Sequence, residues 1–245
     1  MEQTTPKTEF LAGLRDMIPM IVGAIPFGII FGAVAVTGGL SPAATQGMSL
    51  FVFAGSAQFI AAGLIAEGIP PGIIILTTFI VNLRHALYGA SLAPYLKHLP
   101  QKWLVPFGFL LTDETYAVTI RRYQERGVGP HGHWYYIASA LFMYTNWQIC
   151  TLIGIVTGRS LQGAANWGLD FAMVATFIGI TVPLIVNRPM LVCTLVAGVT
   201  AVLANGLPNK LGLMLAALLG IGAGVLAESF RLGGQPEVAT VEGDA

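Results

Sequence analysis

The sequence predicts an all-α polytopic membrane protein with about eight transmembrane helices, seven being the alternative, some of them broken by proline or glycine. The first observation is composition: 55% of the residues are hydrophobic and only 10% are charged, whereas soluble domains carry about 25% charged residues. The second is run length, because several apolar runs approach or exceed the roughly 18 residues that span a hydrocarbon core. A mean hydropathy of +0.73 agrees. The expected surroundings of the chain are therefore a lipid bilayer.

Glycine, proline and charged residues divide the chain into about eight hydrophobic segments. They cover residues 17–36, 46–66, 73–93, 104–121, 134–156, 168–186, 190–204 and 211–229. The seventh is short for a full span, which leaves open seven helices and one re-entrant segment. We therefore expect a cytoplasmic or interfacial N-terminal segment over 1–16, a transmembrane helical domain over 17–230 and a disordered, acidic tail over 231–245.

Two further patterns concern helix packing and duplication. Small residues recur at four-residue spacing, which permits close approach of helices within the chain or with a second protein. They are Ala24, Gly28 and Gly32 in the first segment and Ala216, Gly220 and Gly224 in the last. The three residues shared by FIVNLR and LIVNRP are too few to establish an internal repeat.

Lysine and arginine in the connections predict the orientation. With eight spans and a cytoplasmic N-terminus, seven basic residues lie inside and four outside, so both termini are expected in the cytoplasm. The inner set is Lys7, Arg15, Arg121, Arg122, Arg126, Arg188 and Arg231; the outer set is Lys97, Lys102, Arg159 and Lys210. Zero net charge gives no reason to expect a nucleic-acid partner. The H-E-x-x-H motif is absent, and no metal site or cofactor is expected.

The third segment carries polar residues at its centre. Read as a helix, TTFIVNLRHALYGASL places Asn82, Arg84, His85 and Tyr88 on one half of its circumference. An unpaired charge at that depth costs at least about 2.5–3.5 kcal/mol. The face should therefore border a polar site between helices, the alternative being a structural ion pair that locks helices together. His85 is the favoured candidate for a proton-responsive role, because histidine titrates near neutrality; Asp113 and Glu114 of the fourth segment are the alternatives.

Acidic residues at the centre of the fourth segment offer counter-charges. Asp113 and Glu114 are adjacent in LTDETYA, and Tyr116 lies about 60° from Asp113 on a regular helix. We expect Arg84 to pair with Asp113 or Glu114. On a regular helix the two acids point apart, so Asp113 is expected to face the polar centre and Glu114 to contact another helix.

Uncharged polar residues in two other segments complete the candidate substrate path. Ser56 and Gln58 lie in AGSAQ of the second segment, and Asn146 and Trp147 lie in YTNWQ of the fifth. The alternative for each is a hydrogen bond to a neighbouring helix, which stabilises helix association by about 1 kcal/mol.

Three motifs, FAGSAQF (53–59), NLRHALY (82–88) and LTDETYA (111–117), together resemble the AzlC/YgaZ family of branched-chain amino acid exporters. The resemblance covers at least the first 130 or so residues. It implies an inner-membrane secondary transporter that exports branched-chain and related small neutral amino acids. It also implies a small AzlD/YgaH-like membrane partner and no cofactor, and it leaves a homo-oligomer open.

Two other function classes remain to be weighed against transport. One is a membrane channel or a structural subunit of a larger membrane complex. The other is an intramembrane hydrolase, in which Ser56 and His85 would form a nucleophile–base pair, although AGSAQ does not match G-x-S-x-G. Transport is the preferred function, and no enzymatic activity is expected.

Overall fold

The computed structural model describes residues 5–158, 178, 181–182, 185–207 and 211–232, and nine helices are defined within them. They are α1 Pro6–Thr37, α2 Pro42–Phe51, α3 Gly55–Ala66, α4 Pro71–Leu96, α5 Gln101–Phe109, α6 Asp113–Arg126, α7 Gly132–Thr157, α8 Arg188–Leu203 and α9 Leu211–Leu232. The chain forms two compact units, Met1–Val182 and Pro183–Ala245, where the sequence was interpreted as one membrane domain. The predicted sixth span lies largely outside the described residues, as does the tail beyond Leu232.

Among the described residues, three helices are long and apolar enough to cross a membrane, judged by length and composition: α1, α4 and α7. Helix α1 begins at Pro6 with Thr5 as its N-cap and continues without a break, so the expected boundary at residue 16 does not coincide with a helix end. Its N-terminal turns are also packed against the protein, because buried Glu9 forms an ion pair with Arg122 of α6 at 2.8 Å. The guanidinium of Arg122 also lies 5.5 Å from the Tyr135 ring centroid.

Helices α1 and α7 run parallel and in close contact through small residues. A β-carbon on Gly154 would collide with the carbonyl oxygen of Ile29, and one on Gly32 would collide with the carbonyl oxygen of Thr151. The predicted small-residue stripe of the first segment therefore serves an internal interface. The stripe in the last segment does the same, since a β-carbon on Gly220 would lie 2.7 Å from that of Ala197 in α8.

The predicted second span is a helical hairpin that enters and leaves at the same end of the first unit. In α2, Gln46 Nε2 donates to Gln148 Oε1 at 2.8 Å and the Leu50 carbonyl accepts from Tyr144 at 3.0 Å, so α2 runs back along α7. Phe53 then adopts a positive φ of 41°. Helix α3 returns until Ala66 reaches Gly38, close to where α2 began.

The predicted fourth span is a second hairpin, entering from the opposite end. Helix α5 runs alongside the start of α7: the Trp103 and Trp134 ring centroids are 5.5 Å apart, and Tyr136 donates to the Phe107 carbonyl at 2.8 Å. Helix α6 then returns, and the Tyr123 hydroxyl donates to the Gly132 carbonyl at 2.9 Å. At about 1.5 Å rise per residue, neither arm of either hairpin reaches across a bilayer. Both predicted spans were therefore wrong as continuous helices.

The first six helices form two copies of one pattern: a long helix followed by a short hairpin. Four residues separate α1 from α2 (38–41) and α4 from α5 (97–100), and three separate the arms of each hairpin (52–54 and 110–112). Because α4 starts at the end where α1 stops, the two copies are inverted, as in many transporters. The structure thus contains an internal repeat that the shared IVN residues did not reveal.

The hairpins change the distribution of charge. Since neither hairpin crosses, Lys97 and Lys102 lie at the same end of the unit as the N-terminus, whereas the sequence prediction placed them on the opposite side from it. We call this the basic end; within residues 5–158 it holds Lys7, Arg15, Lys97, Lys102, Arg121, Arg122 and Arg126. Of the connections at the opposite end, the two that the structure describes completely, 38–41 and 67–70, contain Glu67 and no lysine or arginine.

The α1–α7 interface predicts the effect of one added methyl group. Gly154→Ala should lower membrane abundance and the thermal unfolding midpoint in detergent, because backbone atoms must shift, at a cost of about 1–3 kcal/mol or more. Gly89→Ala in α4 is the matched control, since a β-carbon there meets nothing within 4 Å. Equal stability of the two variants would contradict the close packing of α1 and α7.

Single cysteines test the hairpin topology. In a background with Cys150 and Cys193 replaced, a membrane-impermeant thiol reagent should label Gln101→Cys and Gln124→Cys from one side and Glu67→Cys from the other. Eight continuous spans would instead place Gln101→Cys on one side of the membrane and both Glu67→Cys and Gln124→Cys on the other. Labelling in that second pattern would reject the hairpins.

Candidate functional site

Each hairpin reverses at residues 52–54 or 110–112, and we call this turn with the first residues of the following helix the hairpin tip. The two tips meet at Arg84 of α4. Its Nη2 atom donates to Ser56 Oγ at 2.6 Å and lies 3.1 Å from Asp113 Oδ2. Ser56 is the second residue of α3, and Asp113 is the first residue of α6. One guanidinium therefore joins the two tips, and the predicted ion pair between Arg84 and Asp113 is confirmed.

Tyrosines hold the other side of the Asp113 carboxylate. Tyr88, one helical turn beyond Arg84, donates to Asp113 Oδ1 at 2.7 Å. Its ring stacks on Tyr116 with centroids 4.3 Å apart, and the Tyr116 hydroxyl lies 3.0 Å from Ser91 Oγ. Both carboxylate oxygens are thus engaged from α4, which orients Asp113.

Glu114 lies beside the same site, contrary to the expectation that the two acids would face apart. That expectation assumed a helix continuous through residue 113, but α6 begins there with Thr112 as its N-cap. Asp113 and Glu114 consequently occupy the first turn of a helix, where negative charge is stabilised by the helix dipole. Both border one cavity.

The cavity at the tips is small, about 20 Å³, and mixes charged, polar and aromatic groups. It is lined by Phe27, Phe53, Ala54, Gly55, Ser56, Arg84, His85, Thr112, Asp113, Glu114 and Trp147. A larger depression of about 510 Å³ lies at the basic end between α1, α6 and α7. It is open, and exposed Arg121 in its wall is already paired with Glu125. The less open cavity, which has charges at helix breaks, is therefore the candidate site.

The two half-helices present different ends to this cavity. Thr112 Oγ1 accepts from the Thr115 amide at 3.3 Å, so a side chain caps α6. Helix α3 follows Ala54 and has no side-chain cap. Its first turn, which borders the cavity at Gly55 and Ser56, leaves amide groups and a partial positive charge available to an anion.

Gln58 and Trp147 are hydrogen-bonded to each other beside the site, and their role in a substrate path stays a prediction. The Trp147 indole donates to Gln58 Oε1 at 3.1 Å, and Gln58 Nε2 donates to Ser49 Oγ at 3.0 Å. Gln58 is fully buried. These bonds fasten both arms of the first hairpin to α7, and only Trp147 also borders the cavity.

His85 and the two asparagines differ in what they contact. His85 borders the cavity, and its Nδ1 lies 3.2 Å from the Asn82 carbonyl. Among the described residues, Asn82 Oδ1 and Asn146 Nδ2 are buried without a hydrogen-bond partner, while Asn146 Oδ1 accepts from Cys150 Sγ at 3.5 Å. Ser56 Oγ accepts a hydrogen bond from Arg84 Nη2. Ser56 and His85, both described, are not hydrogen-bonded to each other, so the nucleophile–base pair of a hydrolase has no support from the structure. The proton-responsive role of His85 stays a prediction.

The candidate site residues taken from the sequence did not include Phe27, Phe53 and Thr112, which border the cavity. Phe27 follows Pro26 in PFGIIFG, and Phe53 and Thr112 stand just before the half-helices. Thr112 followed by Asp113 and Glu114 is an N-cap signal that could have located the second break.

The ion pair predicts unequal effects of single and double neutral substitutions. Arg84→Gln or Asp113→Asn should destabilise the protein by about 3–5 kcal/mol, because each leaves one charge buried without its partner. The double variant should recover part of that loss. Arg121→Gln is the control, because it breaks an exposed pair on the same helix as Asp113, and such pairs contribute little. Thermal unfolding in detergent measures all four; additive losses in the double variant would contradict the pairing.

Comparison with known proteins agrees with the three sequence motifs. Residues 19–161, which contain both hairpin tips and Arg84, match the family model described as AzlC protein. The chain is 30% identical to inner membrane protein YgaZ of Escherichia coli (strain K12), over 73% of this chain and 76% of that protein. It is 28% identical to branched-chain amino acid transport protein AzlC of Bacillus subtilis (strain 168), over 69% and 65% respectively. A membrane protein of Archaeoglobus fulgidus is 29% identical over 90% of this chain and 96% of its own length. No solved structure matches. The chain belongs to the AzlC family of membrane proteins.

Proposed function

We propose that this protein is a secondary transporter that exports branched-chain and related small neutral amino acids across the inner (plasma) membrane. The observation that carries the proposal is the Arg84–Asp113 pair, which lies at the meeting point of two inverted hairpins. Charged groups at such depth are costly and typically line transport pathways. The name of the Bacillus subtilis relative supplies the substrate class.

The composition of the cavity suits such a substrate. Arg84 and Asp113 offer partners for a carboxylate and an ammonium group. The aromatic side chains of Phe27, Phe53 and Trp147 border the same space, and each offers apolar surface to an aliphatic side chain.

The two hairpins favour a carrier over a channel. The cavity of about 20 Å³ has no room for an amino acid, so the hairpins must move before a substrate can enter. The α2–α3 hairpin stands between it and one end of the unit, and the α5–α6 hairpin stands between it and the basic end. Displacing one hairpin at a time would expose the site to one side at a time, which is alternating access.

The basic end supports a cytoplasmic N-terminus, because lysine and arginine accumulate on the cytoplasmic side of membrane proteins. We propose the same side for the C-terminus. The exposed apolar faces of α8 and α9 are compatible with lipid, with a second copy or with a small AzlD/YgaH-like subunit; the last is the partner that we propose. No catalytic step or cofactor is part of this function.

Loading cells with a leucine or valine dipeptide tests the function. Cells that lack this protein and its small partner should accumulate the free amino acid several-fold above cells that contain both, because hydrolysis continues while efflux stops. Re-expression of Arg121→Gln should restore efflux, and Asp113→Asn at matched membrane abundance should not. Equal accumulation with and without the protein would reject the assignment.

A further inference from the structure

The Arg84–Asp113 pair has the charge pattern of an α-amino acid. We infer that it opens on binding, so that Arg84 takes the substrate carboxylate and Asp113 takes the substrate ammonium group. This inference rests on the proposed function and adds the mode of recognition: the transporter would select zwitterions by both charges of the amino acid backbone.

Charge balance is the first argument. In the structure the Arg84 guanidinium and the Asp113 carboxylate neutralise each other at 3.1 Å, and neither is fully exposed. Separating them without replacement would leave two buried charges unpaired, which is strongly unfavourable. A zwitterion supplies one charge of each sign, so its binding leaves the net charge of the site unchanged.

The part of the site that would bind the substrate carboxylate offers further hydrogen-bond donors. Arg84 Nε is buried and has no hydrogen-bond partner among the described residues, while its Nη2 holds Ser56 and Asp113. Beside it lies the uncapped first turn of α3. A carboxylate between the guanidinium and this turn would satisfy both, since planar forks and helix N-termini each bind such anions.

Tyr88 orients Asp113, the carboxylate that would bind the substrate ammonium group. Tyr88 holds Asp113 Oδ1 at 2.7 Å, so that oxygen keeps a partner after Arg84 moves away from Oδ2. An ammonium group would then replace the guanidinium at Oδ2. Tyr88 thus acts as a positioning residue that keeps the carboxylate oriented during the exchange.

The size of the cavity links binding to movement. About 20 Å³ holds no more than one water molecule, so a branched amino acid enters only when the tips separate. The ion pair that must open is also a contact between α4 and the second hairpin. Substrate binding consequently removes one of the contacts between α4 and that hairpin, while Tyr88 still holds Asp113, and the pair re-forms when the substrate leaves.

The test is a ligand series on the purified full-length protein in proteoliposomes. Leucine, leucinamide (no carboxylate) and 2-hydroxy-4-methylpentanoate (no ammonium) compete against exchange of radiolabelled leucine, with thermal stabilisation in detergent as a second readout. We expect leucine to compete and each singly charged analogue to be at least about a hundredfold weaker, because each leaves a polar group of the site unpaired.

Variants add a change of selectivity that a merely structural role would not produce. Asp113→Asn should improve 2-hydroxy-4-methylpentanoate relative to leucine, and Arg84→Gln should improve leucinamide relative to leucine. Arg121→Gln, which removes an exposed pair from the same helix, should keep the wild-type order.

The two proposals fail in different ways. Equal competition by all three ligands on the wild-type protein, which needs no variant, would overturn the zwitterion site while leaving leucine transport intact. Absence of leucine binding and exchange would overturn the proposed function itself.

Discussion

The cost of an unpaired arginine inside a membrane is the constraint on which this structure depends. Arg84 lies in the middle of a long apolar helix, so partners must be brought to it from elsewhere in the chain. They come from two helix starts, Ser56 on α3 and Asp113 on α6. A helix that starts at mid-depth requires a chain reversal at mid-depth. The ion pair and the two hairpins are therefore parts of one solution.

A chain reversal at that depth exposes backbone groups that lipid cannot hydrogen-bond, so they must be satisfied inside the protein. Helix α7 provides much of this, donating from Tyr144 to the Leu50 carbonyl and from Tyr136 to the Phe107 carbonyl. Each bond lies in the last turn of the first arm of a hairpin. α7 in turn is fixed to α1 by glycine contacts such as Gly154, which gives both hairpins a common support.

The sequence predicted the membrane class, the polar face of α4 and the pairing of Arg84, because helical periodicity and the cost of buried charge act locally. It did not predict the hairpins. Residues 46–66 and 104–121 each have the length and hydropathy of one span, and what breaks them is a three-residue reversal stabilised by contacts from α7. The same assumption of continuous helices placed Lys97 and Lys102 at the end opposite to the N-terminus and turned Glu114 away from the site. Both the end assigned to a loop and the helical phase depend on that assumption. The N-cap residue Thr112 could have predicted the start of α6. The reversal at Phe53 has no such marker in the sequence, because α3 begins without a side-chain cap.

The account rests most directly on contact between Arg84 and Asp113 in a lipid bilayer. Solid-state NMR on protein labelled with ¹⁵N in arginine and ¹³C in aspartate, reconstituted without ligand, can measure the dipolar coupling between the guanidinium and the carboxyl carbon. Assignment follows from loss of the signal in Asp113→Asn, with Asp16→Asn as the control. The account predicts strong coupling from direct contact at that pair. Coupling that is absent at Asp113, with Arg84 facing lipid or another acid, would contradict it.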